Sequence, residues 1–300
     1  MKQLKGYFFI AIAATLWGAS ATIVKHLFNI QYPPLIIVQT RVSIAFMVLV
    51  IFFLITNPRI LKFRMRDVPH FFIVGVCGIA GSNYFYYFAI KESNVATAIV
   101  VQYSAPIMVA LYAIVAQHER MTRFKLISLI FSTLGIFLAV GGLNGLLVAN
   151  HKGIILALAA AVSYSIFNLA GKPLTKKYSV WSSLVFSFGA ATLFWLVVQP
   201  PQAIIAAGYS IADWEVFSLV STTSILVPYS FYFFGLRYLS PTRAIITSTL
   251  EPVVAIATAF IFLGGTMGLL QIVGAVLVIG SIILLETTSG SQQEVQEKSE

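Results

Sequence analysis

Charge is scarce in this sequence. Asp, Glu, Lys and Arg make up 10% of its 300 residues, and only ten of them are acidic. A soluble globule needs more charge than that, because its exterior has to be wetted. Cysteine is scarcer still: Cys77 stands alone inside an apolar run, so neither an intrachain disulfide nor a cysteine-based metal site can form. It reads as a small hydrophobe of a helix. The four histidines, His26, His70, His118 and His151, fall at helix ends or in loops, as do Asp67 and Asp213. No His-Glu-x-x-His and no embedded aspartate pair is present, so an intramembrane enzyme would lack its metal ligands or acid–base partners. The Gly-x-x-x-x-Gly-Lys-Ser/Thr loop of an ATP-driven pump is missing too. No catalytic residue, metal or cofactor is expected.

What the chain does have is apolar length. Hydrophobic residues account for 59% of it and the mean hydropathy is +0.90. A bilayer-spanning helix needs about 20 mostly apolar residues. Stretches near 5–25, 35–56, 69–90, 93–116, 124–142, 152–172, 180–198, 213–236, 240–263 and 266–285 meet that requirement. The expectation is an all-α integral membrane protein of ten transmembrane helices with the lipid bilayer as its first partner. Short loops make successive helices antiparallel. The longest connection, Gln199 to Asp213, opens Gln-Pro-Pro and has room for a short interfacial segment. After Glu286 the chain turns polar, and 287–300 reads as a disordered cytoplasmic tail.

A net charge of +9 raises the question of nucleic acid. The basic residues sit in short loops between apolar spans rather than on one wetted face, so they report membrane orientation instead. With the N-terminus inside, fifteen of the nineteen Lys and Arg fall on the cytoplasmic side. Only Lys25, Lys91 and Lys152 fall opposite, and Arg41 lies inside a span. Both termini are then cytoplasmic. Lys2, Lys5 and Ala19-Ser20-Ala21 resemble a cleavable secretory signal. The length of the apolar run, and a matching helix in the second half, favour its retention.

That match belongs to an internal repeat. Shifted by 146 positions, Pro106 falls on Pro252, Phe85-Tyr86-Tyr87-Phe88 on Phe231-Tyr232-Phe233-Phe234, Lys91 on Arg237, and Ser128/Gly135 on Gly274/Ser281. With a shift of 147, Trp17 meets Tyr164, Gly18 meets Ser165 and Lys25 meets Lys172. The expected units are 1–146 and 147–286, five helices each. An odd helix number inverts the second copy, which gives a pseudo-two-fold axis in the membrane plane and a site between the halves near the midplane.

Leu16-Trp17-Gly18-Ala19-Ser20 with Lys25, then Pro33-Pro34 and Arg41, resembles the opening of EamA-type members of the drug/metabolite transporter superfamily. Ala105-Pro106 with His118-Glu119-Arg120-Met121-Thr122 is similar to that family's fourth and fifth helices. Leu239-Ser240-Pro241-Thr242-Arg243-Ala244 through Leu250-Glu251-Pro252-Val253 is similar to its ninth. One departure is Gly264-Gly265, where the family usually has Gly-Glu. The resemblance implies ten helices and metabolite or amino-acid transport, including aromatic amino-acid export, in a bacterial inner membrane. It leaves the cargo open.

Ionisable groups at membrane depth are functional candidates. Glu251, beside Pro252, is the only carboxylate deep in a span. It reads either as a partner for a proton or a substrate amine, or as a structural hydrogen-bonding group. Arg41 lies about 9 Å below the outer end of its helix and Lys25 at similar depth. Lys25, Arg41 and Glu251 are the candidate charge partners: either the two bases attract a carboxylate substrate, or they snorkel to headgroups or pair with the protein's own carboxylate. Trp17, Gln102, Tyr103, Ser104, Tyr164, Asn168, Tyr229, Tyr232 and Thr247 lie near the midplane, with Asn83 and Tyr84 somewhat outward. Such side chains suit a small amphiphilic solute, and the aromatic content tilts towards aromatic or other apolar amino acids. Pro106 and Pro252 are expected as kinks lining the cavity. The expected function is secondary transport, amino-acid export with a proton as candidate coupling ion; a channel or an exporter of other metabolites or drugs is the alternative. Monomer or homodimer is undetermined.

Overall fold

Among the described residues of the computed structural model, which are 2–29, 32–93, 95–117, 121–142, 151–263 and 268–297, every regular element is helical. In chain order the long helices are α1 (Lys2–Asn29), α2 (Pro34–Thr56), α3 (Met65–Glu92), α4 (Val95–Gln102 and Ala105–Val115), α5 (Arg123–Ala139), α6 (His151–Lys177) and α7 (Val180–Val198). They continue with α8 (Ile211–Tyr238), α9 (Pro241–Ser248 and Leu250–Leu263) and α10 (Leu269–Glu297). Nine of the described helices are long and apolar enough to cross a membrane by length and composition.

The exception is α5. At 17 residues it stops short of the expected 142, because Gly141 and Gly142 take positive φ (99° and 61°), the left-handed turn that ends helices. The connection after α7 does hold a short helix, Gln202–Ala206. At the other extreme, α10 continues to Glu297, through the polar stretch that composition assigns to a disordered tail. Glutamine and glutamate sustain a helical backbone without any apolar face.

Local chemistry sets the starts. Thr122, Ser179, Ser210 and Ser240 each cap a helix by accepting a hydrogen bond from the backbone N–H three residues on, and Ser210 forms a full capping box with Asp213. Pro34 and Pro241 occupy first helical positions, where the missing N–H costs nothing. Inside the spans the prolines act differently. Neither Pro106 nor Pro252 kinks a continuous helix. Each stands in the first turn of a new segment, which follows a break at Tyr103-Ser104 in α4 and at Thr249 in α9. A proline ring clashes with the carbonyl four residues back, here Gln102 and Ser248, the last residues of the two preceding segments. In α3 and α8 the backbone widens into π-helical stretches, Ile73–Ala80 and Thr222–Leu226.

The most extensive packing joins residues before 147 to residues after it. Helix α1 lies on α8 and α9, α2 on α7 and α8, α3 on α6 and α7, α4 on α6 and α9, and α5 on α10. Exchanging α1–α5 for α6–α10 turns this pattern into itself. Small residues permit the close crossings. A Cβ on Gly135 would stand 2.8 Å from the Gly274 carbonyl oxygen, and one on Gly18 would stand 2.5 Å from that of Glu251. Large apolar side chains such as Met47, Ile51, Ile55, Leu269 and Val276 remain exposed on the outer faces, as a lipid-facing surface requires.

Candidate functional site

The polar centre of the bundle is built around Arg41. This residue sits on α2 and is 5% exposed. Its Nη2 donates to Asn83 Oδ1 on α3 at 3.0 Å and its Nη1 to Ser224 Oγ on α8 at 3.3 Å. The guanidinium carbon lies 5.9 Å from the centre of the Tyr87 ring. Its Nε has no hydrogen-bond partner. Among the described residues no carboxylate lies within ion-pair distance of it; the ion pairs found are Lys152–Glu92 and Lys177–Asp67, both nearer solvent. A buried guanidinium has the donor geometry to pair with a carboxylate.

Next to it stands a block of aromatic rings. Trp17 on α1 donates its indole N–H to the Ser224 carbonyl at 3.1 Å. Its ring meets Tyr229 edge-on at 5.0 Å and Tyr232 at 5.3 Å. Phe167 on α6 closes the block, 5.3 Å from Tyr229 and 5.2 Å from Tyr232. Tyr232 is fully buried and accepts a hydrogen bond from the Asn168 amide. The Asn168 carbonyl oxygen, equally buried, has no partner. Tyr164 donates to Ser248 Oγ at 2.9 Å and lies 6.2 Å from the Tyr103 ring. Tyr103 faces Glu251, where the second segment of α9 begins. A continuous track of hydroxyls, amides and rings therefore runs from Arg41 to Glu251.

Most of the residues singled out from the sequence converge here: Trp17, Arg41, Asn83, Tyr103, Tyr164, Asn168, Tyr229, Tyr232 and Glu251. Tyr84 does not. It points between α3 and α7, against Phe88, Phe194 and Trp195, as a packing residue. Gln102 is half-buried at the end of the first α4 segment, while Thr247 is buried and donates back to the Arg243 carbonyl of its own helix. The side chain of Lys25, and residues 118–120 and 264–267, lie outside the described residues. Sequence reasoning overlooked Ser224, Tyr87, Phe167 and Ser248. Ser224 and Ser248 also bond to carbonyls of their own helices, so in sequence they look like any packing serine.

Comparison with known proteins agrees with this architecture. The model of the EamA-like transporter family matches the chain twice, over residues 4–141 and 151–287. The chain belongs to the EamA-like transporter family. Membership makes it a multi-pass membrane protein of a transporter family rather than an enzyme. Among its EamA relatives, the threonine/homoserine exporter RhtA of Escherichia coli K12 is 27% identical over 294 residues, covering 97% of this chain and 91% of the relative. YicL of Salmonella typhimurium LT2, described as an uncharacterized inner membrane transporter, is 23% identical and covers 95% and 96%. A solved crystal structure superposes with a TM-score of 0.76 over 94% of this EamA chain and 97% of its own; at 16% identity it speaks for the fold alone.

Proposed function

We propose that this EamA-family chain is a secondary transporter of the bacterial inner membrane that exports a small neutral amino acid by alternating access, with Arg41 holding the substrate carboxylate. The observation that carries the reading is the Arg41 guanidinium, buried with no carboxylate partner among the described residues and with Nε unpartnered. The free Asn168 carbonyl oxygen, across the same aromatic block, supplies an acceptor for the substrate ammonium. A zwitterion brings both missing partners at once. The rings pack on one another at 5.0–5.3 Å, which leaves the hydroxyls and amides, not the aromatic faces, for a guest. Small polar amino acids suit that better than aromatic ones, and RhtA, named for threonine and homoserine, points the same way.

Alternating access rests on ten membrane helices arranged as two inverted repeats, with both termini cytoplasmic. Three facts support it: the double family match, the packing pattern that survives exchange of the halves, and the one-sided distribution of Lys and Arg. Helix α5 counts as the tenth span. Uptake of threonine into proteoliposomes is expected to saturate and to accelerate when threonine is present on the far side. Non-saturating flux would mean a channel; no flux for any amino acid would remove the reading.

Proton coupling is assigned to Glu251, which pairs with no cation among the described residues and lies beside the Tyr103 hydroxyl. Glu251→Gln, at equal expression, is expected to flatten the pH dependence of threonine transport while leaving counter-flow at fixed pH. An unchanged pH profile would take Glu251 out of that role.

A further inference from the structure

Two polar clusters hold the bundle closed at its opposite ends. At the end richest in Lys and Arg, the Tyr178 hydroxyl, from the turn between α6 and α7, donates to Asp67 Oδ2 at the start of α3. Lys177 Nζ donates to the other carboxylate oxygen. The Tyr178 ring lies 5.2 Å from Phe71, a buried residue one turn into α3, and Phe63 lies 6.5 Å from Phe71. A surface depression lined by Lys62, Phe63, Arg64, Lys177 and Tyr178 opens on this cluster. At the other end of α2, about 35 Å away at 1.5 Å per residue, the Tyr32 hydroxyl donates to Asp213 Oδ1 at the start of α8. There the Tyr32 ring lies 5.6 Å from buried Phe217, and Tyr209 lies 5.1 Å from Phe217.

These are the same cluster twice. The 146-residue shift carries Phe63 to Tyr209, Asp67 to Asp213, Phe71 to Phe217, and Tyr32 to Tyr178. Each copy ties one half to the other: Asp67 and Phe71 of the first meet Tyr178 of the second, and Asp213 and Phe217 of the second meet Tyr32 of the first. One difference matters. Lys177 corresponds to Gln31, and among the described residues only the basic end adds an ammonium to the aspartate.

We infer that the two Tyr–Asp–Phe clusters are the paired gates of the transport cycle, one at each membrane face, and that opening one requires the other to stay shut. The inference rests on the alternating-access reading above. Geometry supports the pairing: each gate contains one aspartate, one tyrosine hydroxyl and a ring plug, and each sits at the entrance to the span that leads to Arg41. On α8 the order inward is Asp213, Phe217, Val220, then Ser224, which bonds Arg41. On α3 it is Asp67, Phe71, Val74, and further in Asn83, which also bonds Arg41. Val74 and Val220 are repeat mates and both are buried. They sit behind their gates.

The test uses the full chain in proteoliposomes with Cys77→Ser as background and no substrate. Val74→Cys and Val220→Cys report entry of a membrane-impermeant maleimide from the face nearest each. Tyr32→Phe removes one gate hydroxyl and keeps the ring. It is expected to raise labelling at position 220 by about tenfold, the ratio set by one hydrogen bond to a charged group, and to lower labelling at 74. Tyr178→Phe is expected to do the reverse. Both reporters moving together, or neither moving, would overturn the proposal. Should a reporter cysteine fail to fold, the pairs Tyr32→Cys with Asp213→Cys and Asp67→Cys with Tyr178→Cys, each bridged by a bifunctional methanethiosulfonate because a tyrosine-to-aspartate contact is too long for a direct disulfide, replace it. Each bridge is expected to arrest threonine counter-flow and to release it when thiol reductant cleaves the linker; flux continuing through the bridged protein would overturn the gates. Reciprocal labelling with no flux of any amino acid would sink the substrate reading and keep the gates, whereas threonine flux with unresponsive reporters would do the opposite.

Discussion

Arg41→Ala is expected to abolish threonine transport at micromolar concentration while the protein still folds and inserts. Truncating one partner of a buried, hydrogen-bonded charge pair costs about 2–5 kcal/mol, so apparent affinity should fall by roughly thirtyfold or more. The loss should depend on the carboxylate. Threoninol, which keeps the amine and hydroxyls and lacks the acid, should be affected far less. Arg41→Lys should recover only part of the affinity, because an ammonium retains the charge and not the two-pronged donor geometry. Uptake measurements on the three proteins with both compounds decide the matter. Equal losses for threonine and threoninol would make Arg41 a structural residue that merely orders Asn83 and Ser224.

Gly75→Leu should be the most damaging single change outside the Arg41 cluster. A Cβ at Gly75 would press into the Ser187 carbonyl oxygen and lie 2.8 Å from the Ala190 Cβ. Both obstacles belong to α7, and one of them is backbone, which cannot swing aside. Overpacking a fitted interface costs typically about 1–3 kcal/mol and occasionally more; here it has to push α3 off α7. A lowered melting midpoint in detergent and poor recovery of monodisperse protein are the expected results. Gly280→Leu, on α10 with nothing within 4 Å of its Cβ, is the matched control and should change little. Equal behaviour of the two variants would show that the α3–α7 crossing has slack to absorb a side chain.

The bilayer made much of this protein readable. Hydropathy alone locates its helices, because lipid forces each span to be long, apolar and self-satisfied in its backbone hydrogen bonds. The same rule explains why Trp17, Arg41, Asn168 and Glu251 stood out, since a polar group at depth needs a reason to be there. Failures came where depth was not the deciding variable. Asn83 and Tyr84 are neighbours in sequence, but successive residues are turned about 100° around a helix, so one faces Arg41 and the other faces Trp195. Helix α5 ended early because of backbone conformation at Gly141 and Gly142, which hydropathy does not register. In sequence Asp67 and Asp213 read only as boundary residues. Their tyrosine partners lie in turns more than a hundred positions away, and no local pattern announces such a pairing.

The π-helical stretches of α3 and α8 have a bearing on engineering. Each widened turn accommodates an additional residue, which rotates everything beyond it by about 100° relative to an ordinary helix. In α8 the stretch Thr222–Leu226 separates Asp213 and Phe217 from Tyr229 and Tyr232; in α3 the stretch Ile73–Ala80 separates Asp67 and Phe71 from Asn83 and Tyr87. Both groups on each helix point into the protein only because of that extra rotation. Deleting a single residue from either stretch would restore a regular spiral and aim one of its two groups at the hydrocarbon. The phase of the helix, as much as the identity of its side chains, thus decides which residues at its end and at its middle face the same interior.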